Sequence, residues 1–168
     1  MMIEHDQQEM AAEFGLLPFQ VNVLQPVRTL CEKIMSLVRF SYSEDPMDDL
    51  KMKIRHVYDL HKMLEDREMR NFFGSNDFSD VICRVARDDV QSFRNNNEWL
   101  ENHPADALLF RDVEECWNGL KTTYTDDFSG LVYGELPGEQ QIFKTLMRIR
   151  ERLMVIEWNI CVVDNKLS

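Results

Sequence analysis

Apolar side chains recur at intervals of three and four residues over 27–38, at Val27, Leu30, Cys31, Ile34, Leu37 and Val38. This spacing places them on one face of an amphipathic helix, and Pro26 suits the first turn of that helix. A second stripe follows the "SEDP" of 43–46 and consists of Leu50, Ile54, Val57, His61 and Leu64. It predicts a second helix that continues to about residue 65. The short connection favours two antiparallel neighbours.

Further helices are predicted along the rest of the chain. Residues 67–73 form a short helix that ends at Gly74, and Ser75 or Asn76 caps a helix that continues to residue 93. Residues 94–107 are loop-like with a turn of helix at 97–101, residues 108–124 are helical, and 125–138 are irregular. The last helix carries isoleucines and leucines spaced 4-3-4-3-4, at Ile142, Leu146, Ile149, Leu153, Ile156 and Ile160. Such a seam packs within a bundle or forms a coiled-coil dimer.

The segment before Pro26 has a different pattern. Residues 3–14 predict a short helix, and "FQVNVL" at 19–24 alternates apolar and polar residues, which is typical of a strand. A lone strand needs a partner for its backbone hydrogen bonds. The predicted fold is therefore mainly α, a helical bundle with one short N-terminal strand, and residues 1–168 form a single domain.

Composition and charge exclude several classes of protein. The net charge is −11, which argues against a general nucleic-acid coat. Residues 28–62 nevertheless carry a net charge of +1. This difference is either chance in a short window or a feature of a catalytic strip within 53–64. No run approaches a membrane span, and the polar N-terminus does not resemble a signal or transit peptide. The four cysteines are widely separated, which predicts reduced core thiols in a cytoplasmic protein.

Common catalytic motifs are missing from the sequence. We find no G-x-S-x-G, P-loop, G-x-G-x-x-G or H-E-x-x-H pattern. The stretch "FFGSNDFSD" at 72–80 offers Gly-Ser and two acids, but Asp77 and Asp80 are spaced D-x-x-D at a predicted helix start. We interpret these residues as helix capping. The adjacent acid pairs elsewhere point to different helix faces and make poor shared metal ligands.

After these exclusions, one group of residues that could take part in catalysis remains, on the two predicted antiparallel helices. Lys33 of the first and Asp59 of the second could face one cleft, where a lysine would neutralise phosphate charge and an aspartate would accept a hydroxyl proton. The alternative is a surface ion pair between Arg55 and Asp59, worth about 0.3 kcal/mol, with Glu32 paired to Arg28 or Arg39. Periodicity alone leaves both open.

The same two stretches carry a family resemblance. "RTLCEKIMSL" at 28–37 and "KIRHVYDL" at 53–60 resemble the third and fourth motifs of the AbiEii/AbiGii nucleotidyltransferase family, the toxins of bacterial abortive-infection and toxin–antitoxin systems. The resemblance implies transfer of a nucleotide from an NTP to an acceptor, with tRNA the acceptor for some members, and it implies Mg²⁺ and a cognate antitoxin. By position, Lys33 and Asp59 become the catalytic residues, and Arg55 and Tyr58 become substrate-binding residues. Arg39, which follows the motif on the same helix as Lys33, is also predicted to bind substrate.

The sequence departs from the family in one respect. The first two family motifs, a Gly-Ser turn and a D-x-D pair, normally lie upstream of residue 14 and are not found here. We therefore expect a C-terminal part of such an enzyme, in which residues 1–25 are a remnant of the core edge and 26–168 are the helical domain. On this view the chain alone binds no metal and transfers no nucleotide. The alternative is a non-catalytic module, monomeric or weakly dimeric, that binds an antitoxin through acidic helices or the C-terminal seam.

Overall fold

The computed structural model describes residues 25–94 and 96–162. All regular secondary structure in these two ranges is helical, which confirms the mainly α prediction. The helices are α1 Pro26–Phe40, α2 Pro46–Met52, α3 Ile54–Glu65, α4 Arg67–Phe73, α5 Asn76–Ser92, α6 Leu108–Arg111, α7 Val113–Thr122 and α8 Glu139–Met154. The helix predicted at 3–14 and the strand predicted at 19–24 lie outside the described residues.

Helix α1 forms the centre of the core. Its predicted stripe is confirmed from Leu30 to Val38, where the side chains are almost wholly buried. This stripe packs on α5 and α3. Removing so much apolar surface from water is the main force that holds the helices together.

The second stripe is confirmed, but the single helix predicted from 46 to 65 is wrong. The chain turns at Lys53, whose N–H bonds to the carbonyls of Asp49 and Leu50, and α3 starts one residue later. The break separates two directions of packing, since both helices contact α1 but α2 also packs on α7 whereas α3 packs on α8. Both halves of the stripe stay buried, from Leu50 to Leu64.

The last helix is shorter than predicted. Its seam from Ile142 to Leu153 is fully buried against α3, α6 and α7 of the same chain, so it is not free to form a coiled-coil dimer. The helix ends at Met154, yet Ile156 and Ile160 remain buried in the extended tail.

Two ring nitrogens hold this tail in place. Nδ1 of His103 accepts the Ala105 N–H, so Nε2 donates to the Ile156 carbonyl at 3.0 Å. The indole of Trp158 donates to the Leu100 carbonyl at 2.8 Å. The carbonyls of Ile156 and Leu100 thus accept hydrogen bonds from side chains and not from a continued helix. The prediction of a helix to residue 160 is wrong.

The helix predicted over 108–124 is also divided. Asp112 interrupts it and caps α7 by accepting the Glu115 N–H at 3.1 Å. Residues Thr123–Phe128 then form a π-helical turn, in which the buried Tyr124 donates its hydroxyl hydrogen bond to the Pro137 carbonyl at 2.9 Å. The short helices predicted at 67–73 and near 97–101 are confirmed.

The cysteine prediction is correct in part. All four thiols are free, and Cys31 and Cys116 are buried as expected. Cys83 is half-buried and Cys161 is exposed, so the core assignment is wrong for Cys161, which lies in the tail beyond α8. None of the helices in the described part of the chain is both long enough and apolar enough to cross a membrane.

Candidate functional site

Lys33 and Asp59 meet between α1 and α3. The ammonium Nζ of Lys33 lies 2.7 Å from Oδ2 of Asp59, and each side chain is 21% exposed. Both residues come from the polar edges of helices whose apolar stripes are buried against each other. The packing of α1 on α3 therefore brings together the two residues that the sequence singled out.

Arg55 shares the same carboxylate oxygen, but at a longer distance. Its Nε lies 3.7 Å from Oδ2 of Asp59, and its side chain is 78% exposed. An exposed i,i+4 pair of this kind contributes about 0.3–0.5 kcal/mol because water screens it. Lys62, the other cation that could have reached Asp59, bonds to Glu65 instead. The shorter, less exposed contact with Lys33 is the principal partner of Asp59.

His56 and Lys53 complete this cluster, and neither was assigned a role from the sequence. Burial, together with the nearby charges of Lys33 and Lys53, lowers the pKa of His56 to about 4, against the opposing charge of Asp59. The imidazole is therefore neutral at physiological pH. Its Nδ1 is buried without a hydrogen-bond partner among the described residues. Lys53 lies with its ammonium 4.7 Å from the centre of the Phe40 ring.

The resulting cluster, Lys33, Lys53, Arg55, His56 and Asp59, has three cations, one carboxylate and one neutral imidazole. A net positive group of this kind attracts phosphate oxygens, and the effect is strongest where side chains are partly desolvated. The segment 28–62, whose net charge of +1 contrasts with the acidic remainder of the chain, thus contains a local cluster of cations.

Tyr58 lies beside the cluster and packs into an aromatic group. Its ring centre is 5.4 Å from that of Phe128, which stacks in turn on Tyr124 at 5.9 Å. Tilted ring pairs at this separation contribute about 0.5–1.5 kcal/mol beyond the area that they bury. The contacts of Tyr58 therefore anchor α3 to the π-helical turn.

Arg39 is not brought to the Lys33–Asp59 pair. Its guanidinium lies 4.3 Å from the ring centre of Phe93, in a groove of about 240 Å³ between α1 and α5 that Glu32 and Asp89 also line. Burial raises the pKa of Asp89 to about 6, against the opposing charge of Arg39.

Arg28 lies beside this groove, next to its lining residue Glu32. It bonds to Glu32 and to Asp88, each at 2.8 Å, so Glu32 pairs with Arg28 rather than with Arg39. The predicted substrate-binding residues are therefore divided between two sides of α1. Arg55 stands with Lys33 and Asp59, whereas Arg39 belongs to a second polar groove.

The donor set around Asp59 does not fit Mg²⁺. This ion requires several oxygen ligands in octahedral geometry, whereas the carboxylate here already bonds to Lys33 and stands among cations. No group of three or more His, Cys, Asp or Glu side chains in residues 25–94 and 96–162 could hold a metal ion. Near Gly74, Asp77 lies in the first turn of α5, where its charge suits the helix N-terminus.

Fold and site together define a helical domain with a cation-rich cluster built on two sequence motifs. A sequence model of a known family, described as "Nucleotidyl transferase AbiEii toxin, Type IV TA system", matches residues 3–145. The chain belongs to this family, and the matched range includes both motifs. Comparison with curated proteins and with solved structures found no match.

Proposed function

We propose that this chain takes part in transferring a nucleotide from an NTP to an RNA hydroxyl, with tRNA as the acceptor. Lys33 would bind the triphosphate, and Asp59 would accept the proton of the attacking hydroxyl. The observation that carries the proposal is the 2.7 Å contact between Lys33 and Asp59, which joins two family motifs across α1 and α3. This arrangement places an anion-binding group and a proton acceptor within hydrogen-bond distance of each other.

The ion pair implies an exchange of partners when substrate binds. A triphosphate oxygen replaces the carboxylate beside Lys33, and the exposed Arg55 contributes a second positive charge. Asp59 then faces the acceptor hydroxyl. The hydroxyl oxygen forms a bond to the α-phosphorus, the bond from that phosphorus to the pyrophosphate oxygen breaks, and the proton passes to Asp59.

The charges around the pair favour this interpretation over a purely structural bridge. A structural bridge between helices needs one cation and one anion, whereas this cluster has Lys53 and Arg55 in addition to Lys33. The imidazole of His56 is neutral and adds no further positive charge beside Asp59. The surplus of positive charge is what a triphosphate would neutralise.

We assign Mg²⁺ to carboxylates outside residues 25–162, because the residues around Asp59 do not fit the ion. When bound at such carboxylates, Mg²⁺ would neutralise charge on the triphosphate. On this proposal the described helices bind and position substrate but do not transfer nucleotide by themselves. Transfer would then require a nucleotidyltransferase core that carries the Gly-Ser turn and the D-x-D pair.

The test is a transfer assay with the full chain, Mg²⁺, tRNA and each α-labelled NTP, with and without an added core of this family. Label should enter tRNA only when the core is present, and both Lys33→Met and Asp59→Asn should abolish it. Lys51→Met is the matched control, since Lys51 pairs with Asp48 on the exposed face of α2. Undiminished transfer by either site variant would contradict the assignment.

The interaction-module alternative makes a different prediction for the same assay. Its C-terminal seam is buried within this chain, so an antitoxin or another partner would have to bind the acidic helices. A module of that kind needs no nucleotide at Lys33. It predicts no transfer with any core and no effect of Lys33→Met on partner binding.

A further inference from the structure

A further polar pocket lies on the side of α3 that is turned away from Asp59, where this helix packs on α8. The pocket has a volume of about 340 Å³, and its polar lining includes His61, Arg70, Lys144 and Arg148. Residues two positions apart on a helix point about 200° away from each other, so His61 faces away from Asp59. The pocket is therefore distinct from the Lys33–Asp59 cluster.

The hydrogen bonds of His61 fix its tautomer. The hydroxyl of Thr145 donates to the Gln141 carbonyl at 3.1 Å, so its oxygen accepts the Nδ1–H of His61 at 2.7 Å. The other ring nitrogen, Nε2, then carries a lone pair. His61 is 9% exposed, and Nε2 has no hydrogen-bond partner among the described residues. A buried acceptor without a donor is costly, which points to a ligand that supplies one.

The charged groups that face His61 are mostly cations. Lys144 and Arg148 project from α8, and no carboxylate of the described residues lies within 4.0 Å of either. Arg70 of α4 donates to the carbonyls of Leu64 and Glu65 at the end of α3.

One carboxylate, that of Glu65, also lines this pocket. Its Oε1 lies 3.7 Å from Nε2 of His61, beyond hydrogen-bond distance, and its other oxygen bonds to Lys62. The pocket is thus lined by three cations and by one carboxylate, Glu65, whose charge is offset by Lys62. It therefore carries a net positive charge, although the chain as a whole has a net charge of −11.

We propose that this pocket binds a phosphate monoester group in its singly protonated form. The P–OH donates to Nε2 of His61, and the charged oxygens accept hydrogen bonds from Lys144 and Arg148. Both requirements of the pocket are met by this one group, a proton donor for the lone pair and negative charge for the cations. Sulfate and phosphodiesters carry no such proton at neutral pH and satisfy only the second requirement. This inference stands independently of the proposed nucleotidyl transfer.

Ligand binding is expected to depend on pH through the phosphate. Above about pH 6 the monoester loses its second proton, so binding must take a proton up from solvent and weakens as the pH rises. Burial and the charge of Lys62 lower the pKa of His61, against the opposing charge of Glu65, so the ring supplies no proton of its own at neutral pH.

The direct test is a titration of the ¹⁵N-histidine-labelled full chain with inorganic phosphate at pH 6, followed by NMR. Phosphate should shift the Nε2 resonance of His61 saturably, and sulfate at equal ionic strength should bind at least about tenfold more weakly because it lacks the donor. Lys144→Gln and Arg148→Gln should each weaken phosphate binding about tenfold. Arg150→Gln, an equal change of charge on α8 outside the pocket lining, should not.

The source of the phosphate is resolved by further ligands. Binding of AMP alone would identify a small phosphorylated ligand, and binding of a 5′-phosphorylated RNA oligomer would identify an RNA end; either supports the site. Equal binding of sulfate and phosphate would overturn the proposal. So would an RNA oligomer that binds as tightly with a 5′-hydroxyl as with a 5′-phosphate, or phosphate affinity that Lys144→Gln and Arg148→Gln leave unchanged.

Discussion

The ammonium of Lys33 and the carboxylate of Asp59, 26 positions apart in the chain, are joined by a 2.7 Å hydrogen bond between α1 and α3. Each residue occupies the polar edge of a helix whose apolar face is buried. The contact is therefore a consequence of core packing as much as of attraction between charges. The same contact joins the segments 28–37 and 53–60, both of which lie within the range that the family model matches.

A double-mutant cycle should show that Lys33 and Asp59 are coupled. Lys33→Met or Asp59→Leu leaves a partly buried charge without its main partner, so each should lower the free energy of unfolding by about 1–2 kcal/mol. The double variant should recover about 1 kcal/mol of the combined loss. Urea denaturation measures all four proteins. The exposed pair Lys51–Asp48 is the control and should show much weaker coupling, because water screens it; strictly additive losses at Lys33 and Asp59 would contradict the assignment.

Arg152 should be one of the most sensitive surface positions of the chain. Its guanidinium donates to the carbonyls of Phe73 and Ser75 and to the hydroxyl of Ser79, and thereby ties α8 to the α4–α5 connection. Arg152→Ala should destabilise the fold by about 2–3 kcal/mol, because two backbone acceptors lose a charged donor. Arg152→Lys should recover little of this, since an ammonium lacks the planar fork. Thermal unfolding checks the result, and Arg150→Ala on the same helix should cost less than about 0.5 kcal/mol.

Stability should fall on acidification through His56. Its folded-state pKa is about 4, below the ordinary 6.5, so the unfolded chain binds more protons between these values and stability rises with pH there. The contribution is fully present above about pH 6.5 and is lost as the pH falls toward 4. The lowered pKa of His61 acts in the same direction, whereas the raised pKa of Asp89 opposes both.

Urea denaturation from pH 7 to pH 4.5 measures this dependence. His56→Gln removes the titrating group and should flatten the dependence in this range, while the mutant at pH 7 keeps most of its stability. An unchanged slope in His56→Gln would show that His56 is not neutral in the folded chain.

The thiols should react in an order set by burial. Cys161 is exposed, whereas burial raises the pKa of Cys31 to about 12 and that of Cys116 to about 11. Because the thiolate is the reactive form, a disulfide reagent should label Cys161 first, Cys83 slowly, and the other two only on unfolding. Cys161→Ser should remove the fast phase, and a fast phase that survives this change would mean that the tail packs differently.

The spacing of apolar residues predicted most helices, because a helix that buries one face carries an apolar residue at every third or fourth position. It missed the break at Lys53, since both halves of that stripe are buried and only the packing partners of α2 and α3 differ. It extended α8 through Ile156 and Ile160, whose burial in an extended tail depends on hydrogen bonds from His103 and Trp158. Bonds between distant parts of the chain leave no periodic signal.

In the candidate site, too, the sequence predicted what depends on nearby residues and missed what depends on contacts between distant helices. Lys33 and Asp59 were found because each stands in a motif, and the short connection between the helices implied that they are neighbours. Arg39 was grouped with them from its helix alone, but its position on α1 directs it toward Phe93 and α5. The pocket around His61 escaped prediction altogether. His61 sits on an apolar stripe, and the partners that define its chemistry, Thr145 and Lys144, come from α8.

The central claim is that Lys33 binds the triphosphate while Asp59 competes for Lys33 until substrate arrives. Calorimetric titration of the full chain with each of the four NTPs tests it most directly. Lys33→Met should weaken binding of the preferred NTP at least about tenfold, whereas Asp59→Asn should bind it as tightly as wild type or more tightly, because the competing carboxylate is gone. Equal weakening in both variants, or unchanged binding in Lys33→Met, would contradict the account.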